Sequence, residues 1–305
     1  MIRTHRACQR WVFGDDFPVR STPFPRVFAI LLFLAPFGYS ESLLLDFGTT
    51  PGLVAPADAL NSPGHFTGAV PAGEITWNLV TSTDITSGLK FGDGSDATGI
   101  SLNLGQEDTI GNNIVDFAAA NAINSTSLTG TSATTLGSDY GTASSSPVAK
   151  DGIFRNGTNA TQNAAIGFRI DGLTAGTYTL YFVGRNTNTS AGGFPVMFYT
   201  STGLSADTFA FTGSASTTVG NSSTNGNTTW TAGNQYNTAT VNVSTGDSIF
   251  VAAEGTSASE LRGFINSVEI VPEPSAVFIL LAGFGVLLVL RPKLNRKRLS
   301  VAGDS

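Results

Sequence analysis

The stretch that decides the fold is AAIGFRIDGLTAGTYTLYFVG, residues 164–184. Apolar side chains alternate with smaller or polar ones in residues 164–171, and they do so again in residues 177–184. A period of two is the pattern of a strand with one buried face. Because glycines lie between the two runs and favour a turn, the stretch predicts a β-hairpin.

Short alternating runs of the same kind recur along the rest of the chain. A weak amphipathic pattern near residues 114–122 predicts the one helix of this region, whereas residues 121–146, half Ser or Thr, and residues 214–234 predict long polar surface loops. Many short strands with Gly-rich turns predict an all-β, jelly-roll-like antiparallel sandwich with long Ser/Thr/Asn-rich loops. The further predicted strands are residues 43–48, 74–80, 99–104, 194–200, 208–212, 237–243, 248–254 and 263–271.

Charge is distributed unevenly along the 305 residues. Residues 41–270 contain 18 Asp or Glu and 6 Lys or Arg, a net charge of −12, while the other Lys and Arg lie before residue 27 or after residue 290. An acidic domain repels the phosphate backbone, so we expect no nucleic-acid partner. Cys8 is the only cysteine and precedes the predicted domain, which therefore has no disulfide.

The first 40 residues have the layout of a secretory signal peptide. Residues 27–37, VFAILLFLAPF, are uncharged and follow Arg20 and Arg26, and GYS at residues 38–40 offers small residues for cleavage after Ser40. Eleven helical residues rise about 16 Å, too little to cross a bilayer stably. We expect residues 1–40 to direct export through the general secretion machinery and residues 41–271 to form the exported domain.

The C-terminal end contains a second apolar run. Residues 276–290 carry no charge and follow Pro272, Glu273 and Pro274. This run predicts a short transmembrane helix in the inner membrane, and the basic residues after it predict a cytoplasmic tail, residues 299–305, by the positive-inside rule. The basic cluster of residues 291–298 consists of Arg291, Lys293, Arg296, Lys297 and Arg298.

Residues 272–298, with a Pro-Glu-Pro motif at 272–275, an apolar run and a basic cluster in that order, resemble the PEP-CTERM sorting signal of Gram-negative bacteria. The resemblance implies recognition by an exosortase-type membrane enzyme through Pro272, Glu273 and Pro274. It also implies that the anchor is removed and the protein delivered to the cell surface or an exopolysaccharide matrix. A plain C-terminal anchor is the alternative.

Four short pieces resemble the galactose-binding-like β-sandwich domains that often precede such tails. They are LLLDFG at residues 43–48, WN at 77–78, ATGISL at 97–102 and GFINSVEI at 263–270. The resemblance implies the same sandwich fold for residues 41–271. It leaves the function open, since one fold serves many functions.

The predicted domain contains little of what catalysis requires. His65 is its only histidine, and we expect a surface or loop histidine. The sequence Gly246-Asp247-Ser248-Ile249 faintly resembles the nucleophile block of some esterases, but it lies late in the domain and predicts an ordinary turn before a strand. We therefore expect no enzyme, although 18 acidic residues leave a polysaccharide-active hydrolase as an alternative.

Two sets of residues are candidate binding sites. Trp230, in a polar stretch near Tyr236, predicts either a ligand platform for a sugar or an anchor for its own loop, whereas Trp77 lies in an alternating run and predicts core. Calcium needs only oxygen ligands, so carboxylates beside Gly-rich turns predict either a structural calcium site or solvated turns. These carboxylates belong to Asp93, Asp96, Glu107 and Asp108. No other cofactor is expected.

Together these patterns predict an exported surface or matrix protein with a non-enzymatic structural or interaction role. A carbohydrate-binding module for exopolysaccharide is the first alternative.

Overall fold

The computed structural model describes residues 41–48, 59–81, 83–118, 152–155, 158–186, 194–221 and 230–274, all within one compact unit. This part contains one short helix, α1 (Pro63–Thr67), and twelve strands. The strands are β1 (Leu43–Phe47), β2 (Asn78–Val80), β3 (Ser101–Glu107), β4 (Ile114–Asp116), β5 (Ile166–Asp171), β6 (Gly176–Val183), β7 (Val196–Leu204), β8 (Thr208–Ala210), β9 (Ala215–Val219), β10 (Asn237–Val243), β11 (Asp247–Gly255) and β12 (Ser267–Pro272).

The strands form two sheets. The five-stranded sheet has the order β10-β6-β12-β1-β2, and the seven-stranded sheet has the order β8-β4-β3-β5-β11-β7-β9. Neighbouring strands are antiparallel except β1 and β2, which run parallel. The predicted all-β, two-sheet architecture is confirmed, and the parallel pair is its one departure from an antiparallel sandwich within the described residues.

The main core lies between the two sheets. Phe47 on β1 meets Phe168 on β5 with ring centroids 5.3 Å apart, and Phe182 on β6 stacks on Phe198 on β7 at 4.5 Å. All four rings are fully buried. Burying a side chain of this size contributes about 2–3 kcal/mol of hydrophobic free energy, so these pairs are a large part of what joins the sheets.

The predicted hairpin of residues 164–184 is wrong, although both of its strands exist. β5 pairs with β3 and β11 in one sheet, whereas β6 pairs with β10 and β12 in the other. The turn between them contains Gly172, whose φ of 85° suits glycine. The apolar faces of β5 and β6 therefore line the same core from opposite sheets, an arrangement that gives each strand the same period-two pattern as a hairpin would.

Two further predictions are corrected. The predicted helix near residues 114–122 is instead β4 as far as Asp116, because Val115 pairs with both Glu107 and Phe209 in the sheet. The predicted polar loop of residues 214–234 contains β9, an edge strand that pairs only with β7. Residues 121–146, predicted as a loop, lie outside the described residues.

Candidate functional site

The segment around α1 packs on the outer face of the five-stranded sheet. Ser62 precedes the helix, Pro63 opens it and Gly68 ends it with φ 76°, an order that favours a single helical turn. Glu269 on β12 points to this outer face, because its neighbours Val268 and Ile270 belong to the core between the sheets. The carboxyl of Glu269 is fully buried beneath α1.

A chain of hydrogen bonds fastens α1 to Glu269. The backbone N–H of Gly64 donates to Glu269 Oε1 at 2.9 Å, and Ser62 Oγ lies 3.1 Å from Glu269 Oε2. The same Ser62 Oγ lies 2.7 Å from Nδ1 of His65, and His65 Nε2 lies 2.8 Å from the carbonyl oxygen of Glu74. Since that carbonyl only accepts, Nε2 carries the proton and Nδ1 accepts.

The positions of the protons in this chain depend on the protonation state of Glu269. A serine hydroxyl has one proton to donate. When Glu269 is ionised, Ser62 donates to Glu269 Oε2. When Glu269 is protonated, it donates to Ser62 Oγ, Ser62 donates to His65 Nδ1, and every group in the chain is satisfied. Burial raises the pKa of Glu269 to about 7, and burial lowers the pKa of His65. Burial therefore disfavours the charged form of both groups.

Ser62, His65 and Glu269 contain the residue types of a hydrolytic triad, but the geometry gives them a structural task. Ser62 Oγ is buried, so a substrate carbonyl has no path to it. In a triad the second histidine nitrogen bonds the carboxylate. Here that nitrogen, Nε2 of His65, is bonded to the backbone carbonyl of Glu74 instead. His65, predicted to be a surface or loop residue, has a buried side chain, which corrects that prediction.

Beside α1, the outer face of β6 and β10 remains open. Side chains that point away from the core alternate with core residues along both strands, and the register places them in three pairs across the sheet. We call this surface the hydroxyl face, and it consists of Thr177 with Asn242, Thr179 with Thr240, and Tyr181 with Thr238. The strands hold these six neutral polar side chains as half-exposed or exposed groups.

Hydrogen bonds order the hydroxyl face. Thr177 Oγ1 donates to Asn242 Oδ1 at 2.8 Å, and the Oγ1 atoms of Thr179 and Thr240 lie 3.2 Å apart. Each hydroxyl keeps further lone pairs, and the amide of Asn242 keeps its N–H groups, for a ligand.

Aromatic rings border the hydroxyl face on the α1 side. Tyr181 stacks on Tyr236 with ring centroids 6.0 Å apart, and Thr67 of α1 donates from Oγ1 to Tyr181 Oη at 3.4 Å. Phe66, next to Thr67 in the chain, is 52% exposed. The face thus combines open hydroxyls with the half-exposed ring of Tyr181, where α1 meets it through Thr67.

The two residues of the predicted ligand platform, Trp230 and Tyr236, are buried rather than exposed. Trp230 is 4% exposed and Tyr236 is 7% exposed, and both pack with Val183 on the outer side of the five-stranded sheet. Trp230 Nε1 donates to Asn61 Oδ1 at 3.2 Å. This burial favours the alternative, in which Trp230 anchors its own loop. Trp77 is partly buried between the same cluster and α1.

The predicted calcium ligands have other contacts. Asp96 forms an ion pair with Lys90, and Asp93 accepts the backbone N–H of Ser95 at 2.7 Å. Glu107 is buried and accepts backbone N–H groups, among them that of Ala165 at 2.8 Å. Asp108 accepts from Arg155 through its backbone oxygen rather than its carboxylate. Across the described ranges, no three His, Cys, Asp or Glu side chains come close enough together to hold a metal ion.

Of the remaining sequence signals, some lie in the described part of the chain and others lie outside it. Ser248 follows the turn at Gly246, is buried near the start of β11 and donates to Asp171 on β5. Pro272 is the last residue of β12, and the N–H of Glu273 donates to the carbonyl of Thr177 at 2.8 Å, so Pro274 follows the sheet directly. No helix in the described part of the chain is long and apolar enough to cross a membrane. Residues 1–40 and 276–298 lie outside it.

No protein-family model matches the sequence. No curated protein is significantly similar to it. The resemblance of residues 272–298 to a sorting signal therefore stays a prediction.

Several solved carbohydrate-binding modules are distantly similar in structure. "CBM35 from Cellvibrio japonicus Abf62" is 27% identical over 40% of this chain and 75% of that one, with a TM-score of 0.25. "Xyl-CBM35 in complex with glucuronic acid containing disaccharide" is 25% identical over the same shares, with a TM-score of 0.26. TmCBM61 in complex with β-1,4-galactotriose is 10% identical over 56% of this chain and 88% of that one, with a TM-score of 0.27. The chain is thus a two-sheet β protein with a distant structural similarity to carbohydrate-binding modules.

Proposed function

We propose that this chain is a non-catalytic carbohydrate-binding protein and that the hydroxyl face is its binding surface. The observation that carries the proposal is the pairing of six exposed or half-exposed neutral polar side chains, among them the aromatic Tyr181, beside α1. Sugars offer hydroxyls that both donate and accept, and apolar C–H faces that pack on aromatic rings. A surface of paired hydroxyl and amide groups that includes the ring of Tyr181 matches both properties of such a ligand.

The absence of catalysis is part of the proposal. The one Ser-His-Glu arrangement among the described residues is buried under α1, where its hydrogen bonds are already satisfied. The carboxylates of Glu107 and Asp171 are likewise occupied by donors of the fold. Turnover of any polysaccharide by the purified protein would instead favour the hydrolase alternative.

A glycan array probed with the full-length protein tests the binding role. We expect signal from the wild type and its loss in Thr240→Val, since valine keeps the shape of threonine and removes one exposed hydroxyl from the face. Thr208→Val is the matched control, because Thr208 is an exposed strand threonine on β8 in the other sheet. An array without signal, or equal signal from both variants, refutes the placement of the site.

Export and sorting belong to the same proposal. The apolar run of residues 27–37 and the Pro-Glu-Pro, apolar and basic order of residues 272–298 support secretion and a transient membrane anchor. The end of β12 at Pro272 supports a tail that starts where the sheet stops. We expect mass spectrometry of the protein recovered from cells to show loss of residues 1–40 and of the C-terminal tail. An intact chain recovered from the cytosol contradicts this.

A further inference from the structure

The charge pattern around the hydroxyl face restricts the kind of glycan it accepts. Residues 41–270 contain six Lys or Arg, and five of these lie in the described part. None of the five lies on a strand of the five-stranded sheet. Lys90 pairs with Asp96, Arg169 with Asp171, and Arg262 with Glu260, while Arg155 donates to the Asp108 carbonyl and Arg185 is fully buried.

A polyanion therefore finds no cation on the described part of this face. The domain around it carries a net charge of −12 over residues 41–270. At low ionic strength this charge acts over more than 10 Å and repels an anionic polymer as it approaches. A carboxylate or sulfate placed on the face would also lose hydration without gaining an ion pair.

The dimensions of the face favour a chain over a single sugar. Thr177, Thr179 and Tyr181 follow each other at every second residue of β6, so the row is about 13 Å long at about 3.3 Å per residue. This is longer than one pyranose ring. Among the described residues, strand β10 is also the edge of its sheet, so no further strand found there limits a ligand on this side.

We infer that the hydroxyl face binds neutral polysaccharide chains and discriminates against uronate-rich or sulfated ones. This inference rests on the carbohydrate-binding function proposed above and names the substrate class of the same site. The discrimination arises from missing cations and long-range repulsion rather than from a specific contact. Binding of the neutral chain is then insensitive to salt, because no ion pair forms.

Matched pairs of polymers test the inference with the full-length protein. Galactan and polygalacturonate form one pair, and hydroxyethyl cellulose and carboxymethyl cellulose form another, each with a neutral and an anionic member. We expect affinity electrophoresis to show at least about tenfold tighter binding of a neutral member, unchanged between low and high salt. Thr240→Lys adds a cation to the face, so we expect this variant to gain affinity for the anionic members, and that gain to disappear in high salt.

Two other outcomes would contradict these proposals, one of them the charge inference alone and the other the proposed function as well. If the wild type binds an anionic polymer as tightly as its neutral partner, and Thr240→Val removes this binding, then the face binds glycans and the charge inference is wrong. If the wild type binds no polymer of either kind and no glycan on the array, the proposed function fails and the inference fails with it. Thr208→Val again reports any loss that does not depend on the hydroxyl face.

Discussion

Replacing Glu269 with Gln tests whether the carboxyl beneath α1 is protonated in the folded protein. Burial raises its pKa from 4.5 to about 7. A folded state that holds the proton more tightly than the unfolded state is most stable below the unfolded pKa, and it loses that stability as the pH rises through the folded pKa. One pKa unit corresponds to about 1.4 kcal/mol. Glu269 therefore lowers the free energy of unfolding by about 3 kcal/mol as the pH rises from about 4.5 to about 7 or slightly above.

His65 changes stability in the opposite direction. Its pKa is lowered by burial, so protonation below its unfolded value of 6.5 favours the unfolded chain and removes stability as the pH falls. The wild-type profile is the sum of the two effects. Glutamine keeps the size of Glu269, its amide oxygen accepts the Gly64 N–H, and its NH₂ donates to Ser62, so Glu269→Gln removes only the titration.

Urea unfolding followed by tryptophan fluorescence measures the free energy of unfolding at each pH. We expect Glu269→Gln to match the wild type near pH 5 and to exceed it by about 3 kcal/mol near pH 8. The difference between the two profiles isolates Glu269, and His65→Asn removes the opposing titration as a control. A variant less stable than the wild type near pH 8 would show that the donors around Glu269 stabilise its carboxylate more than burial penalises it, and it would refute the raised pKa.

Three more predictions concern the core, a turn and the buried tryptophan. Phe168→Ala removes a fully buried ring from the core and should lower the free energy of unfolding by about 3–5 kcal/mol, and a loss below about 1 kcal/mol in urea unfolding would contradict the core as described. Gly172 has a φ of 85°, and an added Cβ would meet a backbone carbonyl, so Gly172→Ala should lower the free energy of unfolding by more than about 1 kcal/mol. At Gly73 an added Cβ has no atom within 4 Å, so Gly73→Ala should lower it far less in the same assay. Trp230→Phe loses the hydrogen bond to Asn61, so we expect a loss of about 1 kcal/mol in stability and unchanged affinity for a neutral polymer; a folded variant without affinity would restore Trp230 as a ligand platform.

Strand positions were predictable from the sequence because apolar side chains recur at every second residue of these runs. Strand β10 coincides with its predicted bounds, and β1, β5, β6 and β11 differ from theirs by one or two residues. Strand pairing was not predictable, because alternation is the same for two strands of one sheet and for two strands that face each other across a core. Strand β9 was missed since its polar residues suit an exposed edge as well as a loop.

The candidate site was only half visible in the sequence. Thr177, Thr179 and Tyr181 follow from the alternation of one run, but their partners on β10 come about sixty residues later, and no local pattern fixes that register. Glu269 did carry a signal. It is a carboxylate flanked by apolar residues in a strand, which indicates a buried charge that needs either a partner or a proton.

Strand β12 is the central strand of the five-stranded sheet and the last strand of the domain to be synthesised. Until residues 267–272 are in place, that sheet exists only as two separate pieces, β6 with β10 and β1 with β2. A nascent chain therefore cannot close this layer gradually from its N-terminus, and folding waits for contacts between opposite ends of the sequence. A truncation that reaches into β12 would split the layer, whereas cleavage beyond Pro274 would leave every strand of it joined.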